Sequence, residues 1–147
     1  MRIPLVLVID GQGGGLGKEL IEQVRIYLPA EEFSYTLLAC GTNSAATQNM
    51  LKSGADLGAT GESAIIYNAQ KADYILGPAG ILSANSLLGE LSPAMANSIG
   101  SSEAIKYIVP INKCRVRIAD DNLPLPQRIT DCVKMFVSDF KFMLQNS

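Results

Sequence analysis

Histidine and tryptophan are both absent from this chain of 147 residues, and the missing histidine excludes the most chemistry. Without an imidazole the chain has no Ser–His or Cys–His nucleophile system, lacks the commonest general base, and loses the usual zinc ligands. Any catalysis must rest on Asp, Glu, Lys, Tyr or Cys side chains or on a bound cofactor, and no metal site is expected. Cysteine is scarce as well. Cys40, Cys114 and Cys132 are odd in number and widely spaced, which fits neither a disulfide framework nor a zinc ribbon. Charge of one sign never accumulates. The 12 basic and 14 acidic residues leave a net charge of −2 with no basic run, which argues against a nucleic-acid partner. No apolar run approaches the roughly 18 residues of a membrane span. The first residues also lack the basic start, long apolar core and small-residue cleavage site of a secretory signal. No membrane partner is expected, and the cytoplasm is the default location.

What the chain does have is apolar mass. Hydrophobic residues make up 48% of it and the mean hydropathy is +0.19. That fills a core and leaves apolar surface for a second subunit, so a homo-oligomer, most simply a homodimer, is expected. The length implies a single domain over residues 1–147.

Residues 4–9 form a continuous apolar run, the pattern of a strand buried on both faces. Leu16, Leu20, Ile21, Val24 and Leu28 recur at helical spacing over 16–28, with Pro29 just beyond. Phe33 to Ala39 reads as a second strand, and Gly41-Thr42-Asn43 as a turn with a capping residue before a helix that runs to about Lys52. The glycine-rich stretch from Gly54 to Glu62 has room for a short strand near Ala55–Leu57, and a helix follows to about Lys71. Asp73–Gly77 is another strand, and Ile81–Leu88 a helical turn or lid. Ser92-Pro93 starts a helix to about Gly100, with serine as N-cap and proline at the first position. Lys106–Ile111 is a fourth clear strand, Val116–Ile118 a short fifth at an edge, and 127–144 the last helix. Strands alternating with helices predict a three-layer α/β Rossmann-like domain: a mostly parallel sheet of about five strands with helices on both faces. In such sheets ligands sit beyond the carboxyl ends of the strands, near the point where strand order reverses.

The strand end that matters most reads Asp10-Gly11-Gln12-Gly13-Gly14-Gly15-Leu16-Gly17. Five glycines in seven residues exceed what a turn needs, because each costs backbone entropy. A glycine loop between a strand and a helix presents free amides and a positive helix end to an anion such as a phosphate. Residues Gly11 to Gly17, flanked by Asn43, Gly61 and Gly80, are therefore the expected ligand contacts. The dinucleotide fingerprint started at Gly11 fails at its third glycine, where Leu16 stands. The P-loop pattern fails on both sides of Gly17-Lys18: Gln12 stands where it needs a glycine, and Glu19 where it needs the magnesium-binding hydroxyl. Gly11, Gly15 and Gly17 do fit G-x-x-x-G-x-G, and the loop is similar to that of short-chain dehydrogenases/reductases, as is Ala79-Gly80 after the Asp73 strand. That resemblance implies NAD or NADP as cofactor. Two departures count against it. Asp10 replaces the small hydroxyl residue before the first glycine, and Cys40-Gly41-Thr42-Asn43 offers no acid for a ribose. Tyr67 and Lys71 have the spacing of that family's catalytic pair but precede the wrong strand, and read better as a helix face with tyrosine packed and lysine solvated. Over nearly its full length the chain resembles a small uncharacterised bacterial family of unknown function. The shared features are the Asp-Gly-Gln-Gly-Gly-Gly start and the runs Gly58-Ala59-Thr60-Gly61-Glu62, Gly77-Pro78-Ala79-Gly80-Ile81, Leu88–Ala96 and Pro110–Cys114. This resemblance implies a Rossmann-like fold and no activity.

Asp10 and Glu62 are the candidate acid/base residues, Asp10 also being placed for a loop hydrogen bond. Asn43, Glu62, Asn85, Glu90 and Asn112 stand on loops that can line one crevice, with Glu90 on the lid. Cys40 and Cys114 are the most nucleophile-like residues, Cys114 beside Lys113, although a small buried hydrophobe is the simpler role. Cys132 belongs to the core. Val133, Phe136, Val137, Phe140 and Leu144 form a helical stripe that either covers the sheet or makes a dimer seam, with sheet cover the preferred reading. The leading expectation is a binding domain for a nucleotide or other phosphorylated small molecule. A small reductase-like or transferase-like enzyme and an oligomeric regulatory module are the alternatives.

Overall fold

The computed structural model describes residues 2–112, 115–119 and 122–147. Its centre is β1 (Leu5–Asp10), whose last five residues are buried. A strand flanked by strands on both sides and helices on both faces has no polar side, so a continuous apolar run is what it needs. The remaining elements are α1 (Gly15–Tyr27), β2 (Thr36–Gly41), α2 (Ser44–Lys52), β3 (Leu57–Thr60), α3 (Glu62–Lys71), β4 (Tyr74–Pro78), α4 (Pro93–Ser101), β5 (Ile105–Val109) and α5 (Leu125–Gln145). A 3-10 turn, Ala79–Leu82, follows β4. All strand pairs are parallel and the order is β3-β2-β1-β4-β5. This is a three-layer Rossmann-like α/β domain, as the alternation of elements predicts.

The pleat of β1 divides the core. Val6 and Val8 pack with Leu20, Ile21 and Val24 of α1 and with Val133, Phe136 and Phe140 of α5. Leu7 and Ile9 point the other way, to Ile65 and Ala69 of α3 and Met95 and Ile99 of α4. Each fully buried Leu or Ile contributes about 1.5–3 kcal/mol relative to an exposed one. Phe136 stacks edge-on against Tyr74 and Tyr107, with ring centroids 5.2 and 5.5 Å away. The Tyr107 hydroxyl donates to Asp139 at 2.7 Å.

Local signals set the helix ends. Asn43 caps α2 by accepting the Ala46 amide at 2.9 Å, and Ser92 caps α4 by accepting the Met95 amide at 3.2 Å. The α1 helix closes when the Leu28 amide bonds the Val24 carbonyl, and Pro29 then blocks its extension. Among the described residues no helix is long and apolar enough to cross a membrane.

Four details differ from the sequence expectation. Phe33 to Tyr35 is not strand, because its aromatic rings turn onto Phe140 of α5 before β2 begins at Thr36. The short third strand lies at Leu57–Thr60 rather than 55–57. Val116–Ile118 forms no strand: the Ile118 amide donates to the Asn112 side chain at 2.6 Å, which ties the segment to the end of β5. Leu144 falls off the covering stripe and is 46% exposed.

Candidate functional site

The reversal of strand order falls between β1 and β4, and a cleft of about 170 Å³ opens there. One wall is the glycine loop with Leu16, the other is Pro78-Ala79-Gly80, and Ser83, Leu87, Ile111 and Val116 complete it.

The loop is built around a turn, with the Gly14 amide donating to the Gly11 carbonyl at 2.9 Å. Gln12 (φ 50°) and Gly14 (φ 73°) both take the left-handed conformation. Glycine is required at some of these positions and not at others. A Cβ on Gly11 would lie 2.5 Å from Thr42 Oγ1 and 2.7 Å from Leu87 Cδ1. One on Gly17 would lie 2.5 Å from Met50 Sδ and 2.8 Å from Asp10 Cβ, and one on Gly14 would meet the backbone of Ala46 at 2.7 Å. Packing alone therefore accounts for Gly11, Gly14 and Gly17. Gly13 and Gly15 face open space, with nothing within 4 Å of where a Cβ would be.

Asp10 ends β1 and is 5% exposed. Its carboxylate accepts the Gly11 amide at 2.8 Å and the Gly17 amide at 2.7 Å. An anionic side chain thus sits at the positive end of α1, a favourable arrangement. The third amide of the helix is taken by it. Among the described residues, no group accepts from the amides of Gly13, Gly15 and Leu16. The loop is held from α2 as well, where the Asn49 side chain donates to the Gly13 carbonyl at 2.6 Å.

A second carboxylate arrives from far along the chain. Glu90 Oε1 accepts from the Gln12 amide (2.8 Å), Thr42 Oγ1 (2.5 Å) and Asn43 Nδ2 (3.0 Å). Asn43 Nδ2 also donates to the Gln12 carbonyl at 2.8 Å. The Thr42 hydroxyl, then the Gln12 amide and Asn43, hold the Glu90 carboxyl below its ordinary range against the opposing effect of desolvation. Residues 83–91 carry Glu90 across the strand ends as a strap, anchored by Leu91 in the core and by Ser86, whose hydroxyl donates to the Gly80 carbonyl.

Of the sequence candidates, the structure brings Asp10, Gly11, Gln12, Gly13, Gly15, Leu16 and Gly80 to the cleft. Asn43 and Glu90 meet beside it. Gly14 and Gly17 do not line the cleft and pack instead against Ala46 and Met50 of α2. Gly61 has φ 97° and its amide donates to the Gly41 carbonyl, and Glu62 is exposed on the first turn of α3; neither lines the cleft. Asn85 belongs to the strap, and Asn112 is spent on Ile118. Cys40 and Cys132 are buried, and desolvation pushes each thiol up to about 12, which suits core packing and not attack. Cys114 and Lys113 lie outside the described residues. Tyr67 is 58% exposed, so it is not packed as the sequence implied; Lys71 Nζ donates to its hydroxyl at 2.5 Å. Neither residue lines the cleft. Thr42 was missed: it carries no motif, and its partner is 48 residues away. Among the described residues no three Cys, Asp or Glu side chains converge to hold a metal.

The order of the sheet and the crevice at its switch point define a Rossmann-like domain with a glycine loop over the end of β1. Residues 5–141 match the family described as domain of unknown function DUF3842, and the chain belongs to that family. No curated protein matches it.

Proposed function

We propose that this domain binds a phosphorylated small molecule, a nucleotide or a phosphorylated metabolite, with its phosphate on the glycine loop. The observation that carries this reading is a set of three amides, those of Gly13, Gly15 and Leu16, which belong to residues lining the cleft and have no acceptor among the described residues. Two of them are the first amides of α1, where the helix dipole adds to their attraction for an anion. Asp10 and Glu90 stand nearby, but each carboxylate is already bonded by amides or side-chain donors, which offsets its repulsion of a phosphate. The apolar wall of Pro78, Ala79, Leu87 and Ile111 suits the rest of the ligand.

The test is a thermal-shift screen with nucleotides and sugar phosphates, with and without magnesium. A ligand at about 100 times its Kd adds about 2.7 kcal/mol, enough to raise the midpoint by several degrees. The shift is expected to vanish in Gly13→Val and Gly15→Val. A shift unchanged in both variants would remove the loop from the site.

An oligomeric assembly is a second reading, favoured by one observation. Met135 and Phe142, seven residues apart on α5, are 61% and 62% exposed on a shared face. Sedimentation equilibrium is expected to give a dimer that Phe142→Lys converts to monomer. A wild-type monomer at all concentrations would end this reading.

A further inference from the structure

A crevice at the switch point has two halves, one over β1 and β4 and the other over β1 and β2, and dinucleotides lie across both. In this chain the halves are unequal. The cleft occupies the β4 side. The β2 side is covered by the strap. Leu87 reaches over Gly11 so closely that a methyl group there would lie 2.7 Å from its Cδ1. Glu90 joins the glycine loop to the end of β2 through Gln12, Thr42 and Asn43.

We propose that this Glu90 clasp sets ligand specificity: the site takes a compact molecule no larger than a mononucleotide, and the clasp shuts out dinucleotides such as NAD and NADP. The proposal rests on the phosphate-loop reading and narrows it to a ligand class. Three features support it. The end of β2 has no acid of its own, and Glu90 fills the space where the ribose of a dinucleotide would meet one. The cleft, at about 170 Å³, is below the roughly 300–1,000 Å³ of pockets that bury most of a drug-sized ligand, so it has room for a phosphate and a small adjoining group and none for the second nucleotide of a dinucleotide. The strap is held in shape by its anchors and not by local preference. Asn85, Leu87, Leu88 and Gly89 have φ of 66°, 57°, 57° and 87°, a conformation that leucine adopts only when its surroundings impose it. A clasp formed by one carboxylate on three residues of two other segments, the glycine loop and the end of β2, supplies that constraint.

The experiment titrates AMP, ribose 5-phosphate, inorganic phosphate, NAD and NADP into the full chain and into Glu90→Ala and Thr42→Val. Wild type is expected to bind at least one of the three monophosphates and neither dinucleotide. Glu90→Ala should hold that monophosphate within about threefold and bind NAD at least about tenfold tighter than wild type. Thr42→Val removes one donor without touching the strap, should move NAD binding the same way by a smaller factor, and decides the matter if Glu90→Ala does not fold. Wild type binding NAD as tightly as AMP would overturn the clasp and leave the phosphate loop standing. A Glu90→Ala protein that binds the monophosphate but gains nothing for NAD would also overturn it. No response of wild type to any phosphorylated probe would remove both readings.

Discussion

The Asp10 carboxylate reaches seven residues forward to accept the Gly17 amide at 2.7 Å, tying the end of the central strand to the first turn of the helix that follows it. With its other oxygen on the Gly11 amide, Asp10 is a structural brace for the loop. Asp10→Ala is expected to leave both buried amides without their acceptor, at about 1–3 kcal/mol each. Asp10→Asn keeps one acceptor and should cost less. Urea denaturation of the two variants checks this. An alanine variant as stable as wild type would show that the brace is dispensable.

Gly11 and Gly13 should respond in opposite ways to the same change. Gly11→Ala forces a methyl against Thr42, Leu87 and Glu90 and is expected to cost about 1–3 kcal/mol. Gly13→Ala enters open space and should change stability by less than about 0.5 kcal/mol. Equal losses in chemical denaturation would mean that the loop is shaped by something other than these contacts.

Glu90 predicts an acid-sensitive clasp. Its folded-state value lies below the ordinary 4.5, with the Thr42 hydroxyl the largest cause. A depressed carboxyl stabilises the fold above its unfolded value, and that stabilisation is lost as pH falls through the folded value. Wild type should therefore melt above Glu90→Gln at neutral pH, and the gap should close below pH 4.5. Melting curves of both proteins over about pH 3 to 7 test it. A constant gap would show that the carboxylate charge is not what the clasp uses.

Cys40 and Cys132 should resist alkylation in the native state. Burial raises both thiols to about 12, so almost none of either is thiolate at pH 8. Iodoacetamide labelling followed by peptide mass mapping should find both unmodified until denaturant is added. Rapid native labelling of Cys40 would revive it as a reactive group.

The order of elements was legible because the interior strands have no exposed side to obscure their pattern. Residues 4–9 and Asp73–Gly77 read as strands, within a residue of the observed Leu5–Asp10 and Tyr74–Pro78, and Asn43 and Ser92 read as caps. The third strand was misplaced because an exposed edge need not be apolar: Leu57 to Thr60 includes no buried residue. Val116 and Ile118 gave the opposite error, since strand-like residues do not form a strand without a pairing edge. At the site, Asp10 and the open glycines could be found because they adjoin in sequence. Glu90 stood out only as a lid residue. Its three partners at Gln12, Thr42 and Asn43 are 47 to 78 residues away, and only the crossover of the chain brings them together.

The alternation along β1 has an evolutionary consequence. Val6 and Val8 serve one core, Leu7 and Ile9 the other, and Asp10 closes the strand in the same two-residue rhythm. Deleting or inserting a single residue here would exchange the two cores at once and turn the carboxylate away from the loop. Relatives of this chain should therefore accept substitutions in β1 freely among apolar types while never changing its length. Length variation should collect instead outside the sheet, in segments such as 115–119.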